Sequence, residues 1–198
     1  MKEVLIATKN PGKAREFEAL FSPLDITVKT LLDYPEVGDV EETGTTFEEN
    51  AILKAEAIAK QFQVLTIADD SGLIIDALNG EPGVYSARYA GTEKNDEKNI
   101  DKVLKNLLGV PFSQRTARFH CTLAICKPDE EAITVTGKCE GLILTQRMGD
   151  EGFGYDPIFW IRDQKRTLAQ MSREEKGAIS HRGQAIHKLT QLLPEIVN

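Results

Sequence analysis

Residues 4–21, VLIATKNPGKAREFEALF, decide the fold class. Val4, Leu5, Ile6 and Ala7 form a continuous apolar run, the pattern of a strand covered on both faces, and it breaks at TKNPGK, residues 8–13. Ala14, Phe17, Leu20 and Phe21 then recur at helical spacing, so the stretch reads strand, tight loop, helix. Pro11 suits the first helical position, where its missing N–H has no intrahelical partner to lose. Moving outward, DITVKTL (25–31) predicts a second strand. VLTIADDSG (64–72) repeats the opening pattern, a buried run ending abruptly in polar residues, and LIIDALNG (73–80) reads as a further strand closing in a turn.

Between these segments an acidic loop over 33–42 leads to TGTTFEEN (43–50). Thr46 and Glu49 fit a capping box, and Phe47, Ala51, Ala55, Ile58 and Phe62 follow as one apolar stripe, which predicts a helix over about 46–62. EPGVYSARYAG (81–91) is too rich in Gly and Pro for a regular element. Ile100, Val103, Leu104, Leu107 and Leu108 mark a helix that stops at Gly109. RTARFHCTLAIC (115–126) and AITVTGKCEG (132–141) alternate apolar and polar residues around the turn KPDEE, the signature of two long antiparallel strands. A glycine-rich loop, GDEGFGYDP (149–157), precedes the strand IFWI. From Ser172 the chain reads as largely helical, with Ala185, Ile186, Leu189 and Leu193 on one side. Strand-helix units at the front and hairpins in the middle give an α/β class with a mixed sheet flanked by helices.

Composition bounds the partners. A chain of 198 residues with 41% hydrophobic and 28% charged residues is ordinary for one globular domain, spanning 1–198. Lys and Arg number 24 against 31 Asp and Glu, a net charge of −7, which repels a nucleic-acid polymer unless the basic residues gather on one face. Phosphate is therefore expected only as a small, locally held ligand. The three cysteines, Cys121, Cys126 and Cys139, show neither CxxC nor zinc-finger spacing and read as buried thiols of a reducing compartment. No stretch approaches the roughly 20 apolar residues of a membrane span, and the N-terminal run is too short for a signal sequence, so a soluble cytoplasmic protein is expected.

Four places can carry chemistry. The loop Thr8, Lys9, Asn10, Pro11, Gly12 and Lys13 ends at a helix N-terminus, where N–H groups and the dipole favour an anion and Lys13 is disfavoured without one. It lacks the first glycine and the hydroxyl of a P-loop, so by itself the signal is weak and a plain strand-helix turn with Pro11 at the first helical position is the simpler reading. Asp69 and Asp70, adjacent at the end of a buried strand, point to opposite sides, so at least one needs a partner, which a divalent cation or a polarised water would supply; an Asx-turn with Ser71 and Gly72 is the alternative. Glu41 and Glu42 precede the helix carrying Lys54, a set suited to a Mg²⁺–triphosphate complex or simply to a solvated acidic connection. Phe153, Gly154, Tyr155 and Asp156, with Lys176, His181 and Arg182 downstream, offer rings, an acceptor and donors that suit a purine edge, or else fill a core beside a solvated helix. His120 and His187 have no acid or Cys at ligand spacing and receive no role.

Taken together, ATKNPGK (7–13), EETGTTFEENAILKA (41–55), ADDSGL (68–73), PGVYSARYAG (82–91), GFGYDPIF (152–159) and EEKGAISHRGQA (174–185) occur in order over nearly the whole chain. In these motifs the sequence closely resembles the Ham1/inosine triphosphate pyrophosphatase family, enzymes that hydrolyse non-canonical purine nucleotides such as dITP, ITP and XTP to the monophosphate and pyrophosphate. The resemblance implies an elongated α/β fold with two lobes and a deep central cleft, dependence on Mg²⁺, and a homodimer. It makes Thr8 to Lys13 the triphosphate loop and Asp70 the proton acceptor that also meets the metal. Glu41 or Glu42 joins the metal, Asp69 supports that site, and Ser71 and Lys54 contact phosphates. Phe153 to Asp156, Lys176, His181 and Arg182 bind sugar and base.

Chemically, Asp70 would orient and deprotonate a water for attack at the α-phosphorus, with no covalent intermediate. Selectivity would come from the purine six position, where hypoxanthine and xanthine carry an acceptor and adenine a donor. Two rivals stand beside this reading: a Maf-type pyrophosphatase of modified pyrimidines or ordinary nucleotides, and a nucleotide sensor without hydrolysis.

Overall fold

The computed structural model of the protein describes residues 2–24 and 26–196. Its strands are β1 (Lys2–Ile6), β2 (Ile26–Thr30), β3 (Thr66–Ile75), β4 (Thr116–Cys126), β5 (Ile133–Ile143), β6 (Phe159–Ile161) and β7 (Arg166–Thr167). The helices are α1 (Pro11–Phe21), α2 (Phe47–Phe62), α3 (Asp96–Asn106), α4 (Arg173–Ile179) and α5 (His181–Ile196). The strands form one seven-stranded sheet in the order β2-β1-β3-β4-β5-β6-β7. β1 pairs in parallel with β2 and β3, whereas β6 pairs antiparallel with β5 and β7, so the sheet is mixed, as the strand-helix and hairpin patterns predict. Asp25 and the side chain of Leu193, which the sequence placed in a strand and on a helix face, lie outside the described residues.

The chain divides into two compact units, each assembled from separate segments. The first comprises residues 1–70, 121–137 and 182–198. In it the sheet is covered on both faces, and the period-two alternation of a strand sorts its side chains between them. Val4 and Ile6 of β1, Ile67 of β3 and Cys121, Leu123 and Ile125 of β4 pack with Phe17 and Phe21 of α1 and with Ala185, Ile186 and Leu189 of α5. The intervening Leu5, Ala7, Ala68, Ala124 and Cys126 pack with Ala51, Ala55, Ile58 and Ala59 of α2. The three cysteines are free thiols and buried, as expected.

α1 starts at Pro11 with Asn10 as N-cap, and α2 starts behind Thr46, whose side chain and that of Glu49 form the expected capping box. The small residues Ala51, Ala55 and Ala59 let α2 lie close against the sheet, and Gln63 ends it in the left-handed conformation.

The second unit comprises residues 71–120 and 138–181 and has one core, including Leu73, Phe119, Tyr155, Phe159 and Met171 with Ile100, Val103 and Leu107 of α3. Buried Arg115 donates to the carbonyls of Leu107 (2.8 Å), Val110 (2.9 Å) and Leu144 (3.2 Å), placing a cation where α3 ends and its carbonyls lack helical partners.

Three elements differ from the sequence reading. ADDSG does not end a strand: β3 runs unbroken through it for ten residues, because both aspartates are neutralised by side chains standing over the two faces. Residues 83–88 form a short 3-10 segment inside the stretch rich in Gly and Pro. The C-terminal helical region is two helices, broken where Ser180 is extended (φ −69°, ψ 159°).

Candidate active site

The first unit holds a buried charge network built on β3. Alternation carries Asp69 to the face of Ile67, beneath α1 and α5, and Asp70 to the face of Ala68, beneath α2. The side chains waiting on each face differ. Asp69 Oδ2 accepts from Arg182 Nε at 2.7 Å and from the Cys121 thiol at 3.3 Å, and Lys13 Nζ reaches Asp69 Oδ1. Arg182, itself fully buried, also pairs with Glu16. Burial alone pushes the Asp69 carboxyl up, but the charges of Arg182 and Lys13 and their hydrogen bonds outweigh it and hold the group well below the usual carboxylate range. Burial and the Asp69 charge push the Cys121 thiol well up, so it stays a neutral donor.

On the α2 face, Asp70 Oδ1 accepts from Lys54 Nζ at 3.0 Å, and the same ammonium donates to Glu42 Oε1 (3.0 Å) and to the carbonyl of Asp69 (2.8 Å). Those three acceptors match its three N–H donors. Asp70 Oδ2 is buried with no hydrogen-bond partner among the described residues. Burial and the nearby Glu42 charge raise the Asp70 pKa, and the charges of Lys54 and Lys13 only partly offset them. Burial lowers the pKa of Lys54, but Asp70 and Glu42 reverse that and leave it raised, so the ammonium stays charged. Two adjacent carboxyls are thus driven in opposite directions by the helices behind them, the pattern that separates a fixed anion from a proton acceptor.

The glutamate doublet divides in the same way. Glu42 is half-buried against Lys54, while Glu41 is exposed. Among the described residues no group of three or more His, Cys, Asp or Glu is arranged to hold a metal by itself. Mg²⁺ does not require one, since it binds through one or two carboxylates and completes its shell with substrate phosphates and water. The unpartnered Oδ2 of Asp70 beside Glu42 fits that mode.

The TKNPGK loop is more self-contained than its sequence suggests. Asn10 Oδ1 accepts the N–H groups of Gly12 (2.8 Å) and Lys13 (3.1 Å), and Thr8 Oγ1 accepts that of Asn10 (3.1 Å). Lys9 is drawn to Asp39 at 3.4 Å. The anion expected beside Lys13 is, in this structure, the carboxylate of Asp69. Ser71 follows Asp70 in β3 and is half-buried.

In the second unit, Asp156 Oδ2 accepts from Lys176 Nζ (2.5 Å) and from the Phe153 N–H (3.0 Å), and the Lys176 ammonium sits 4.8 Å from the Phe153 ring centre. Gly152 allows this turn: its φ is +78°, and a Cβ there would lie 2.1 Å from Asp156 Oδ2. The Gly154 N–H donates to Asp96 at 2.8 Å. His181 stacks on Phe119 with ring centres 4.7 Å apart. Phe153, Asp156 and Lys176 therefore meet as one cluster. Tyr155 instead turns into the core, donating to the Ser86 carbonyl at 2.7 Å, and burial pushes its hydroxyl pKa up. Arg182, in the first unit, pairs with Asp69 and Glu16.

Sequence reasoning missed Glu16 and Cys121. Glu16 lies three residues after Lys13 in α1, a spacing that places both on one helix face, and Cys121 alternates with Leu123 and Ile125 on the Asp69 side of the sheet. Both signals were present but say nothing about a partner.

Comparison with known proteins bears on the whole chain. The model of the Ham1 family matches residues 4–192. A dITP/XTP pyrophosphatase of Bacillus cereus is 57% identical over 197 residues, covering 98% of this chain and 96% of that protein. The solved Ham1 protein of Staphylococcus aureus superposes with a TM-score of 0.85 at 48% identity, over 98% of this chain and 99% of the other. A HAM1 protein from Coxiella burnetii gives 0.87 at 44%, over 98% and 100%. Motif order, seven-stranded mixed sheet and whole-length similarity agree: the chain belongs to the Ham1 family.

Proposed function

We propose that this chain is a nucleoside-triphosphate pyrophosphatase that hydrolyses non-canonical purine nucleotides, dITP, ITP and XTP, to the monophosphate and pyrophosphate. The whole chain, 1–198, serves as a single catalytic domain. The observation that carries the mechanism is the opposed surroundings of Asp69 and Asp70, in a chain 57% identical to a protein named dITP/XTP pyrophosphatase.

Asp70, with its raised pKa and unpartnered Oδ2, takes the proton from the attacking water and directs that water at the α-phosphorus. Asp69 stays ionised and keeps Lys13 and Arg182 in place. Lys13, Lys54, Ser71 and the polar side chains of the 8–13 loop neutralise and orient the phosphates. Asp70 and Glu42, rather than Glu41, would hold Mg²⁺, which when bound neutralises phosphate charge and stabilises the leaving pyrophosphate. Phe153, Asp156 and Lys176 meet sugar and base, and the His181–Arg182 step supplies the donors that face the purine six position. Both side chains of that step are held, His181 by Phe119 and Arg182 by two acids, so neither turns away from a wrong partner. A buried donor left facing the adenine amine costs about 1–3 kcal/mol.

The proposed setting is the cytoplasmic nucleotide pool, with the enzyme as a homodimer and with no nucleic-acid polymer as partner. Among the described residues no helix is long and apolar enough to cross a membrane. The test is pyrophosphate release over a panel of nucleotides with and without Mg²⁺. Release from dITP, ITP and XTP that needs Mg²⁺ and exceeds release from ATP, dTTP and UTP is expected. Preference for pyrimidines would favour the Maf-type alternative, and binding without release would make the chain a sensor.

A further inference from the structure

Asn50, in the first turns of α2, is fully buried and only half satisfied. Its Oδ1 accepts the Gly44 N–H at 2.8 Å, while its Nδ2 has no hydrogen-bond partner among the described residues. An unmatched buried donor is a standing cost that an apolar residue at this place would avoid, so the acceptor half calls for an explanation. It holds backbone. Gly44 lies so close that a Cβ there would be 2.7 Å from Asn50 Oδ1 and 2.7 Å from Glu49 Cβ. Next along the chain, the N–H groups of Thr45 and Thr46 donate to Glu49 at 2.7 and 3.2 Å. Three successive backbone donors, 44 to 46, are therefore tied to α2 by side chains of α2 itself. The bond from Thr46 to Glu49 belongs to the capping box, and that from Thr45 extends it by one residue to the same carboxylate oxygen. The bond to Asn50 lies outside that box.

What stands upstream of the tie is Glu42, two residues before Gly44. Its carboxylate meets Lys54, which follows Asn50 by one helical turn and also meets Asp70. The acidic loop thus leaves α2 at Gly44 and returns to it at Lys54, and the Asn50 bond fixes its point of departure. We propose that Asn50 is a positioning residue: by holding the Gly44 backbone it keeps Glu42 beside Lys54 and Asp70, and so sets the affinity of that carboxylate pair for a divalent cation. This rests on the reading of Asp70 and Glu42 as the metal-binding pair.

The test compares Asn50→Ala, Gly44→Ala and the double variant by three readouts. These are amide hydrogen exchange at residue 44 in metal-free protein, Mn²⁺ binding by calorimetry without nucleotide, and the Mg²⁺ dependence of pyrophosphate release. In Asn50→Ala, exchange at Gly44 is expected to quicken at least about tenfold while the central amides of α2 stay protected. The Mn²⁺ dissociation constant and the Mg²⁺ activation constant should rise roughly tenfold, with kcat at saturating Mg²⁺ within about threefold of wild type. Gly44→Ala should act likewise, and the double variant no more than either alone. A lowered melting temperature with unchanged cation constants, or additive effects, would overturn the proposal. Should Asn50→Ala fail to fold, a folded Gly44→Ala protein with wild-type cation constants overturns it equally. A wild-type protein that releases no pyrophosphate from ITP would instead remove the reading of the site, leaving the exchange result intact.

Discussion

The two faces of β3 present the same residue type to two different environments. Beneath α1 and α5, Asp69 meets an arginine, a lysine and a thiol, and burial cannot keep it protonated. Beneath α2, one residue on, Asp70 meets a single ammonium shared with a second carboxylate, and burial prevails. The lesson is that the strand supplies only the pair of acids; the side chains of the helices drive their pKa values in opposite directions. On the proposed mechanism the first arrangement serves structure and electrostatics and the second the chemistry.

Breaking the chemical member has the largest expected effect. Asp70→Asn should leave the fold intact and lower turnover of ITP by about 10²–10⁴, measured by pyrophosphate release; a folded variant with near-normal turnover would remove Asp70 from the reaction. Breaking the structural member should show in stability. Asp69→Asn leaves Arg182 and Lys13 facing a neutral group, and loss of one partner from a buried pair costs about 3–5 kcal/mol. Urea denaturation at neutral pH reads this directly, and Asp70→Asn, which removes a charge that burial disfavours, should change stability by no more than about 1 kcal/mol. Equal losses for the two variants would erase the distinction. The sign in pH follows from the depressed pKa: the stabilisation by Asp69 is present above the ordinary carboxylate pKa and is lost as pH falls through the lower folded value. A smaller effect sharpens the comparison. Lys13→Ala should raise KM for the triphosphate roughly tenfold, the scale of one charged hydrogen bond, and weaken monophosphate binding much less; equal weakening of both would show that Lys13 serves Asp69 alone.

Much of this was legible in the sequence for a physical reason. Periodicity is a local signal, so the run at Val4–Ala7, the stripe from Phe47 to Phe62 and the alternation of Ala117 to Ile125 located β1, α2 and β4, and the Thr46/Glu49 pair located a helix start. Alternation also foretold that Asp69 and Asp70 face opposite sides. Pairing between distant segments was not legible. Nothing local states that Arg182 lies on Asp69, that Glu16 shares its guanidinium, or that Glu42 rather than Glu41 meets Lys54. ADDSG reads as a strand end because polar residues and a glycine break the apolar run, and only the neutralising side chains from α1, α2 and α5 make the continuous β3 intelligible. The hydrogen bond of the Tyr155 hydroxyl was illegible for the same reason: its partner, the Ser86 carbonyl, is 69 residues away.

The most direct test is an NMR titration of the Asp69 and Asp70 side-chain carboxyls in one sample of wild-type protein. Asp69 should remain ionised to a pH well below the usual aspartate range, and Asp70 should take up its proton above that range. Coincident titrations, or the reverse order, would contradict the division of labour on which the mechanism is built.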